Sequence, residues 1–169
     1  MTKKTNFNNV WDLNSVFNIP QTSNDDVNWD LLYDQFVLIK EEFEELQDKG
    51  LGAKDWKEVK DAIGDILVVT YGMAYRCNID ADKLMDNISE SNFSKLCKTE
   101  EEVHETRAYY ELLGVKTYVE QSELDGVRVW AIKSAEDQNF EEKGEKKFAK
   151  QGKFLKNVNW HEPDLDVEL

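Results

Sequence analysis

The stretch DAIGDILVV, residues 61–69, decides how the rest of the chain must fold. Its apolar residues are typical of a helix that packs into a core, yet Asp65 lies among them. A helix that buries this run is expected to bury Asp65 too, and an unpaired buried carboxylate costs several kcal/mol. Since no Lys or Arg follows within one helical turn, the sequence predicts a partner for Asp65 elsewhere in the chain.

A second carboxylate cluster precedes it, in the sequence KEEFEEL at residues 40–46. On a helix, three of its glutamates fall within an arc of roughly 100°, whereas Glu44 points elsewhere. If the two helices pair antiparallel across a turn at residues 50–54, four carboxylates converge and repel each other unless cations are shared. Mg²⁺ prefers such oxygen ligands, and Mn²⁺ is a possible substitute. The predicted ligands are Glu42, Glu45, Asp61 and Asp65.

Each cluster also has a plainer interpretation. Runs of glutamate such as residues 41–45 are most often solvated helix faces. Asp65, for its part, could be satisfied by a buried arginine or by hydroxyl groups.

Bulk composition bounds the function. The chain has 169 residues, of which 40% are hydrophobic, enough for a core. Its 35 acidic and 21 basic residues give a formal net charge of -14. This charge argues against a general nucleic-acid binder and against docking to an anionic membrane. A polyanionic small molecule is still compatible with it if divalent metals invert the local charge.

Cellular location follows from the termini and the cysteines. Cys77 and Cys97 are isolated in the sequence, as is typical of buried thiols in a reducing compartment. The first residues, MTKKTN, have no apolar signal region, and the apolar stretch 62–75 is too short to cross a bilayer. We therefore expect a cytoplasmic protein, in the host cytoplasm if the gene belongs to a phage.

The fold class expected from periodicity is mainly α, with a core resembling a four-helix bundle. Gly50 is the predicted stop after the first long helix, for which either Asp26 or Asn28 is the candidate N-cap; Asp80 and Thr99 are the candidates for later helices. The predicted helices cover residues 4–18, 29–49, 55–77, 81–95 and 100–113.

The C-terminal part changes character. Near-alternation in residues 116–121 and 127–133, separated by Leu124-Asp125-Gly126, predicts a small β-hairpin. The charged residues 134–152 have little periodicity and are expected to form a mobile loop, after which the tail regains apolar anchors and packs back. We expect one domain overall, with residues 1–98 as a helical catalytic core and residues 99–169 packed on it.

The ordered motifs resemble those of the all-α NTP pyrophosphohydrolase superfamily, which includes MazG-like enzymes, phosphoribosyl-ATP pyrophosphohydrolases, dimeric dUTPases and dCTP pyrophosphatases. The resemblance points to the phosphoribosyl-ATP-pyrophosphohydrolase-like branch found in phages and bacteria. The matching pieces are EExxEL at 41–46, DILVVTYG at 65–72, NIDAD at 78–82, SNFSK at 91–95 and the tail residues 155–165.

One position departs from the pattern. The superfamily motif EExxE is followed by ExxD, and aligning its last residue on Asp65 puts Ala62 where the glutamate should be. The frame Glu58-x-x-Asp61 keeps the letters but loses the match that follows Asp65. We prefer Asp65 as the final residue, with Asp61 standing in for the glutamate, which leaves the number of metal ions open.

The resemblance implies a magnesium-dependent enzyme that cleaves a nucleoside triphosphate to its monophosphate and pyrophosphate. It implies that Glu41 or Glu42 activates water, and that the chain self-associates as a homodimer or homotetramer. The candidate substrate contacts are Asn92, Lys95 and Lys156 for the phosphates and Tyr71 for the base. Two alternatives stay open: a phosphoribosyl-ATP pyrophosphohydrolase, and a silent helical interaction module that Ala62 favours.

Overall fold

The computed structural model describes residues 4–23 and 25–165. Within them the chain forms five α-helices, one π-helical segment and four β-strands, so the mainly helical prediction is confirmed. The helices are α1 (Asn6–Val16), α2 (Trp29–Glu45), α3 (Trp56–Arg76), α4 (Ala81–Phe93) and α5 (Glu100–Leu112), with the π-helical segment Leu46–Gly52 between α2 and α3. The strands are β1 (Thr117–Leu124), β2 (Val127–Ser134), β3 (Gln138–Glu142) and β4 (Glu145–Ala149).

The chain divides into two compact units, and the division falls within α4, between Met85 and Asp86. The N-terminal unit contains α1, α2, the π-helical segment and α3, and the C-terminal unit contains α5 and the strands. The domain boundary expected at residue 98 stays a prediction.

In the N-terminal unit α2 and α1 both pack on α3. Aromatic rings join α1 to α3: Phe7 lies 5.7 Å from Tyr71, and Trp11 lies 4.8 Å from Tyr75 between ring centroids. The predicted N-cap Asn28 is confirmed, since its side chain accepts a hydrogen bond from the Leu31 amide at 3.1 Å.

The connection between α2 and α3 differs from the prediction. Gly50 does not act as a helix stop after α2, because α2 ends at Glu45 and continues as the π-helical segment. Gly50 is buried, and a Cβ there would lie 2.9 Å from a Val59 methyl carbon. The glycine is therefore needed for close approach of the backbone to α3. Lys54 at φ 56°, further on, takes the left-handed conformation that ends the segment.

The C-terminal unit has its own hydrophobic core, made of Cys97, Tyr110, Val115, Ile132, Ala149 and Leu155. The predicted hairpin is confirmed as β1 and β2, joined by Asp125 and Gly126 with φ values of 52° and 78°. Leu155 is 5% exposed, so the tail packs back in this unit as expected.

The mobile loop predicted at residues 134–152 is wrong, because most of it is a second hairpin of β3 and β4. Lys143 and Gly144 both take positive φ, as a two-residue hairpin turn requires. Apolar contact holds the hairpin in place: Ala149 is buried, and the Phe140 ring lies 6.4 Å from that of Tyr110. Few apolar residues suffice because only one face of this hairpin meets the core.

Among the described residues, no helix is both long and apolar enough to pass through a bilayer.

Candidate active site

The α2–α3 pair runs antiparallel, and its register places the predicted carboxylates opposite each other. Gln35 on α2 lies against Gly72 on α3, and Glu42 and Asp65 are near enough for their charges to repel each other. From the first of these pairs to the second, the chain advances seven residues on α2 and goes back seven residues on α3. Since seven residues are close to two helical turns, both pairs lie on one face of each helix. The sequence prediction that these helices pair antiparallel is therefore confirmed.

A buried amide fixes this register. Gln35 is 5% exposed; its Nε2 donates to the Val69 carbonyl at 2.8 Å and its Oε1 accepts from Arg76 Nε at 2.7 Å. Gly72 makes room for it, since a Cβ there would lie 2.9 Å from Gln35 Nε2. Sliding one helix along the other would leave the buried amide unpaired, which is costly. Sequence analysis missed Gln35; its only signal is a polar residue beside the apolar stripe of α2.

Glu42 is the half-buried carboxylate of the group. Burial raises its pKa, and repulsion from Asp65, Glu45 and Glu41 raises it further, against the attraction of Lys49. We call Glu41, Glu42, Glu45 and Asp65 the acidic cluster. It joins residues of α2 and α3, and its negative charges are incompletely compensated. The predicted ligand Asp61 is not part of this cluster and stays a prediction.

Lys49 is the cation that sequence analysis overlooked. Its ammonium lies 2.8 Å from a Glu45 carboxylate oxygen, one turn along the helix. The hydrogen bond to Glu45 raises the pKa of Lys49, and attraction from Glu58 and Glu42 acts in the same direction, while burial opposes it. The spacing of four residues between Glu45 and Lys49 was a signal available in the sequence.

The expected burial of Asp65 is wrong for the single chain. Asp65 is exposed, and so are Asp61, Glu41 and Glu45. The apolar run around it is exposed too, with Ile63 at 47% and Leu67 at 50%. Among the described helices, α1 and α2 pack on α3, and they cover only part of its surface. The rest of that surface, including Asp65, is exposed.

The acidic cluster has the chemistry of a site for a hard divalent cation. All of its donors are carboxylate oxygens, and the mutual repulsion that raises the pKa of Glu42 is what a bound cation would relieve. Within residues 4–23 and 25–165, no group of three or more His, Cys, Asp or Glu is already arranged to hold a metal ion. The donor set therefore fits magnesium by the type of its ligand atoms.

The predicted substrate contacts fall in different places. Tyr71 is half-buried in the N-terminal unit and packs against Phe7. Asn92 and Lys95 lie in the C-terminal unit and bind each other, with Lys95 Nζ 2.6 Å from Asn92 Oδ1. Lys156 also lies in the C-terminal unit, with its ammonium 3.2 Å from the centroid of the Trp160 ring. All four stay predictions as substrate ligands.

A comparison with known families gives a match in the helical region. Residues 12–92 match a family of the MazG-like all-α NTP pyrophosphohydrolase superfamily, as the sequence motifs predict. The matching family model is that of phosphoribosyl-ATP pyrophosphohydrolase. The match contains the whole acidic cluster and supports an enzyme that acts on pyrophosphate bonds. Neither the comparison with curated proteins nor that with solved structures found a significant match.

Proposed function

We propose that this protein is a magnesium-dependent nucleoside triphosphate pyrophosphohydrolase that converts a (deoxy)nucleoside triphosphate to its monophosphate and pyrophosphate. The observation that carries the proposal is the acidic cluster itself, in which Glu42 faces Asp65 across the α2–α3 pair inside the matched segment. Such a group of carboxylates fits a hydrolysis in which an activated water molecule attacks one phosphate of a negatively charged pair and the bond between the two phosphates breaks.

The chain's own residues have distinct proposed roles. Glu41 or Glu42 accepts a proton from a water molecule, and the oxygen of this water attacks the phosphorus of the α-phosphate. The bond between the α- and β-phosphates breaks and pyrophosphate leaves. Gln35 and Gly72 hold the two helices in the register that places Glu42 opposite Asp65. The proposed metal ligands are Glu42, Glu45, Asp61 and Asp65. Magnesium bound there would neutralise charge on the phosphates.

We also propose that the chain self-associates as a homodimer or homotetramer in the cytoplasm. The exposed apolar side chains of α2 and α3 support this, since a second copy would cover them. Pairing the α2–α3 hairpins of two copies would complete a four-helix bundle and surround Asp65 with apolar residues. Large exposed apolar residues on the two helices are Trp29, Tyr33, Phe36, Phe43, Trp56, Ile63, Leu67 and Val68.

A second candidate function is hydrolysis of phosphoribosyl-ATP, also with release of pyrophosphate. The specific observation in its favour is that the matching family model bears that activity in its description. The two candidates share the acidic cluster and the bond broken, and they differ only in the nucleotide that is bound.

The experiment that tests the proposal measures pyrophosphate and orthophosphate released from the common NTPs, the dNTPs including dUTP, and phosphoribosyl-ATP, each with and without Mg²⁺. Metal-dependent pyrophosphate from a subset of the triphosphates is the expected result. Release from phosphoribosyl-ATP alone would favour the second candidate. Orthophosphate as the first product would contradict both.

The silent interaction module is tested without substrate. The feature favouring it is Ala62, which is buried at the position of the family's glutamate. An enzyme with a functional metal site should show a rise in melting temperature with Mg²⁺ or Mn²⁺, because a ligand that binds only the folded state stabilises it. A folded protein with neither this rise nor any pyrophosphate release would establish the silent module.

A further inference from the structure

The C-terminal unit contains a cavity of about 440 Å³, within the size range of small-molecule sites. Its walls include the rings of Tyr109, Tyr110 and Trp160 together with three lysines and three glutamates. Most of these residues come from α5, the β3–β4 hairpin and the tail, and all lie beyond the segment that matches the family model. We call this cavity the lysine pocket.

The charges that line the pocket are not equally available. Glu142 is committed: its Oε1 accepts from the Tyr109 hydroxyl at 2.7 Å and its Oε2 from the Lys147 ammonium. Glu145 is 77% exposed in its side chain and lies 4.0 Å from Lys147. Glu162 is exposed and attracts Lys156 without pairing to it. The pocket therefore keeps its glutamates either paired or turned to solvent.

Lys156 is exposed as well, but its contacts differ from those of the glutamates. Its backbone amide donates to the Tyr110 hydroxyl at 3.1 Å, which anchors the backbone at this residue, and its ammonium lies over the Trp160 ring. Among the described residues, that ammonium has no carboxylate within ion-pair distance. Although the residue as a whole is exposed, desolvation of its ammonium lowers the pKa of Lys156, and repulsion from Lys147 and Lys95 acts in the same direction against the attraction of Glu162 and Glu142.

A second donor at the pocket also lacks a partner. The indole nitrogen of Trp160 is buried and has no hydrogen-bond partner among the described residues. The Lys156 ammonium and the Trp160 indole nitrogen are both hydrogen-bond donors, so the ligand group that suits them is an acceptor. Lys147 is already paired with Glu142, so the Lys156 ammonium is the charge that a ligand would meet, and an ammonium favours a strongly charged, oxygen-rich anion.

We propose that the lysine pocket is a binding site for a phosphate-type anion, held by Lys156 with Lys147 behind it and the Trp160 ring at its side. The anion has two possible sources, free pyrophosphate or the phosphate of a nucleotide. The site is separate from the acidic cluster in the sense that its ligand needs no divalent cation. The proposal holds whether or not the proposed hydrolysis is correct, since binding is measured without turnover.

The test is calorimetric titration of the full chain with pyrophosphate, orthophosphate and a nucleoside monophosphate, in EDTA so that the acidic cluster is metal-free. We expect binding of at least one of them, weakened about tenfold or more in Lys156→Met, which keeps much of the apolar stem but removes the charge. Lys150→Met, at an exposed lysine outside the pocket, is the matched control and should bind like the wild type.

The source of the anion follows from the titrations. Tighter binding of pyrophosphate than of the monophosphate assigns the pocket to the free product, and the reverse order assigns it to a nucleotide. No heat from any anion at millimolar concentration would overturn the proposal, as would equal affinity in Lys156→Met and the wild type.

A spectroscopic reading keeps the test decisive if Lys156→Met fails to fold. In the wild type, the Trp160 indole N–H resonance, assigned by its loss in Trp160→Phe, should shift on titration with the bound anion. An indole resonance that stays unmoved while other resonances report binding would place the anion elsewhere and contradict the assignment.

Discussion

The acidic cluster and the lysine pocket each place like charges around one side chain, negative charges around Glu42 and positive charges around Lys156. In the acidic cluster, carboxylates of two helices raise the pKa of Glu42, whereas in the lysine pocket ammonium groups lower the pKa of Lys156. Burial contributes first in both cases and neighbouring like charges add to it. This is why we propose a cation as the ligand of the first site and an anion as the ligand of the second. The structural elements that build the two sites differ. The acidic cluster depends on the register between α2 and α3, whereas the lysine pocket is built from α5, the β3–β4 hairpin and the tail.

The largest expected effect breaks the acidic cluster. Asp65→Asn and Glu45→Gln should each lower turnover by about 100-fold or more, because a neutral amide binds a hard cation poorly. Pyrophosphate release under saturating Mg²⁺ is the measurement, with circular dichroism to verify folding. The control is Glu44→Gln, since Glu44 pairs with Lys40 at 3.1 Å on another face of α2. Activity like that of the wild type in either variant would remove the metal-site assignment.

The register that supports the cluster is tested next. Gly72→Ala puts a Cβ 2.9 Å from Gln35 Nε2 and should lower the free energy of unfolding by about 1–3 kcal/mol. Gly64→Ala is the matched control on the same helix, because nothing lies within 4 Å of its Cβ, and it should gain roughly 0.5–1 kcal/mol from helix propensity. Urea unfolding measures both. Equal stability of the two variants would show that Gln35 does not fix the register.

A smaller effect is expected from Lys49, and it tests whether this residue competes with a bound metal ion for Glu45. A cation bound through Glu45 must compete with the Lys49 ammonium, 2.8 Å away. Lys49→Gln should therefore tighten metal binding about twofold to fivefold, the range of an exposed ion pair. Thermal shift against Mg²⁺ concentration, without nucleotide, gives the comparison. Lys40→Gln removes the neighbouring pair with Glu44 and should leave the metal affinity unchanged. Weaker binding in Lys49→Gln would mean that Lys49 orders the cluster instead of competing with the metal.

The smallest expected effect concerns acid stability near the lysine pocket. Burial would raise the pKa of Glu142, but the hydrogen bonds from Lys147 and Tyr109 outweigh it and hold that pKa below its usual range. A lowered folded-state pKa stabilises the fold above the unfolded-state pKa, and this contribution is lost as the pH falls through the folded-state value. The wild type should lose stability from about pH 5 downward more steeply than Glu142→Gln. Parallel pH profiles from denaturant unfolding would contradict this.

How far the sequence foretold the structure differs between the two hairpins. β1 and β2 were predictable because Asp125-Gly126 is a common turn pair between alternating residues. β3 and β4 were missed because Lys143 occupies a left-handed turn position that lysine seldom takes, and charged residues hide the alternation. The partners that stabilise this hairpin, Tyr109 and Tyr110, lie some 30 residues away on α5.

The sequence by itself determined the helical class, the match of residues 12–92 to a known family and the antiparallel pairing of α2 with α3, because helical periodicity and motif spacing are local properties. Only the tertiary structure decided the register through Gln35 and Gly72, the exposure of Asp65, the part played by Lys49, and the existence of the lysine pocket. These depend on which residues meet across long stretches of chain, and local spacing carries no information about such contacts.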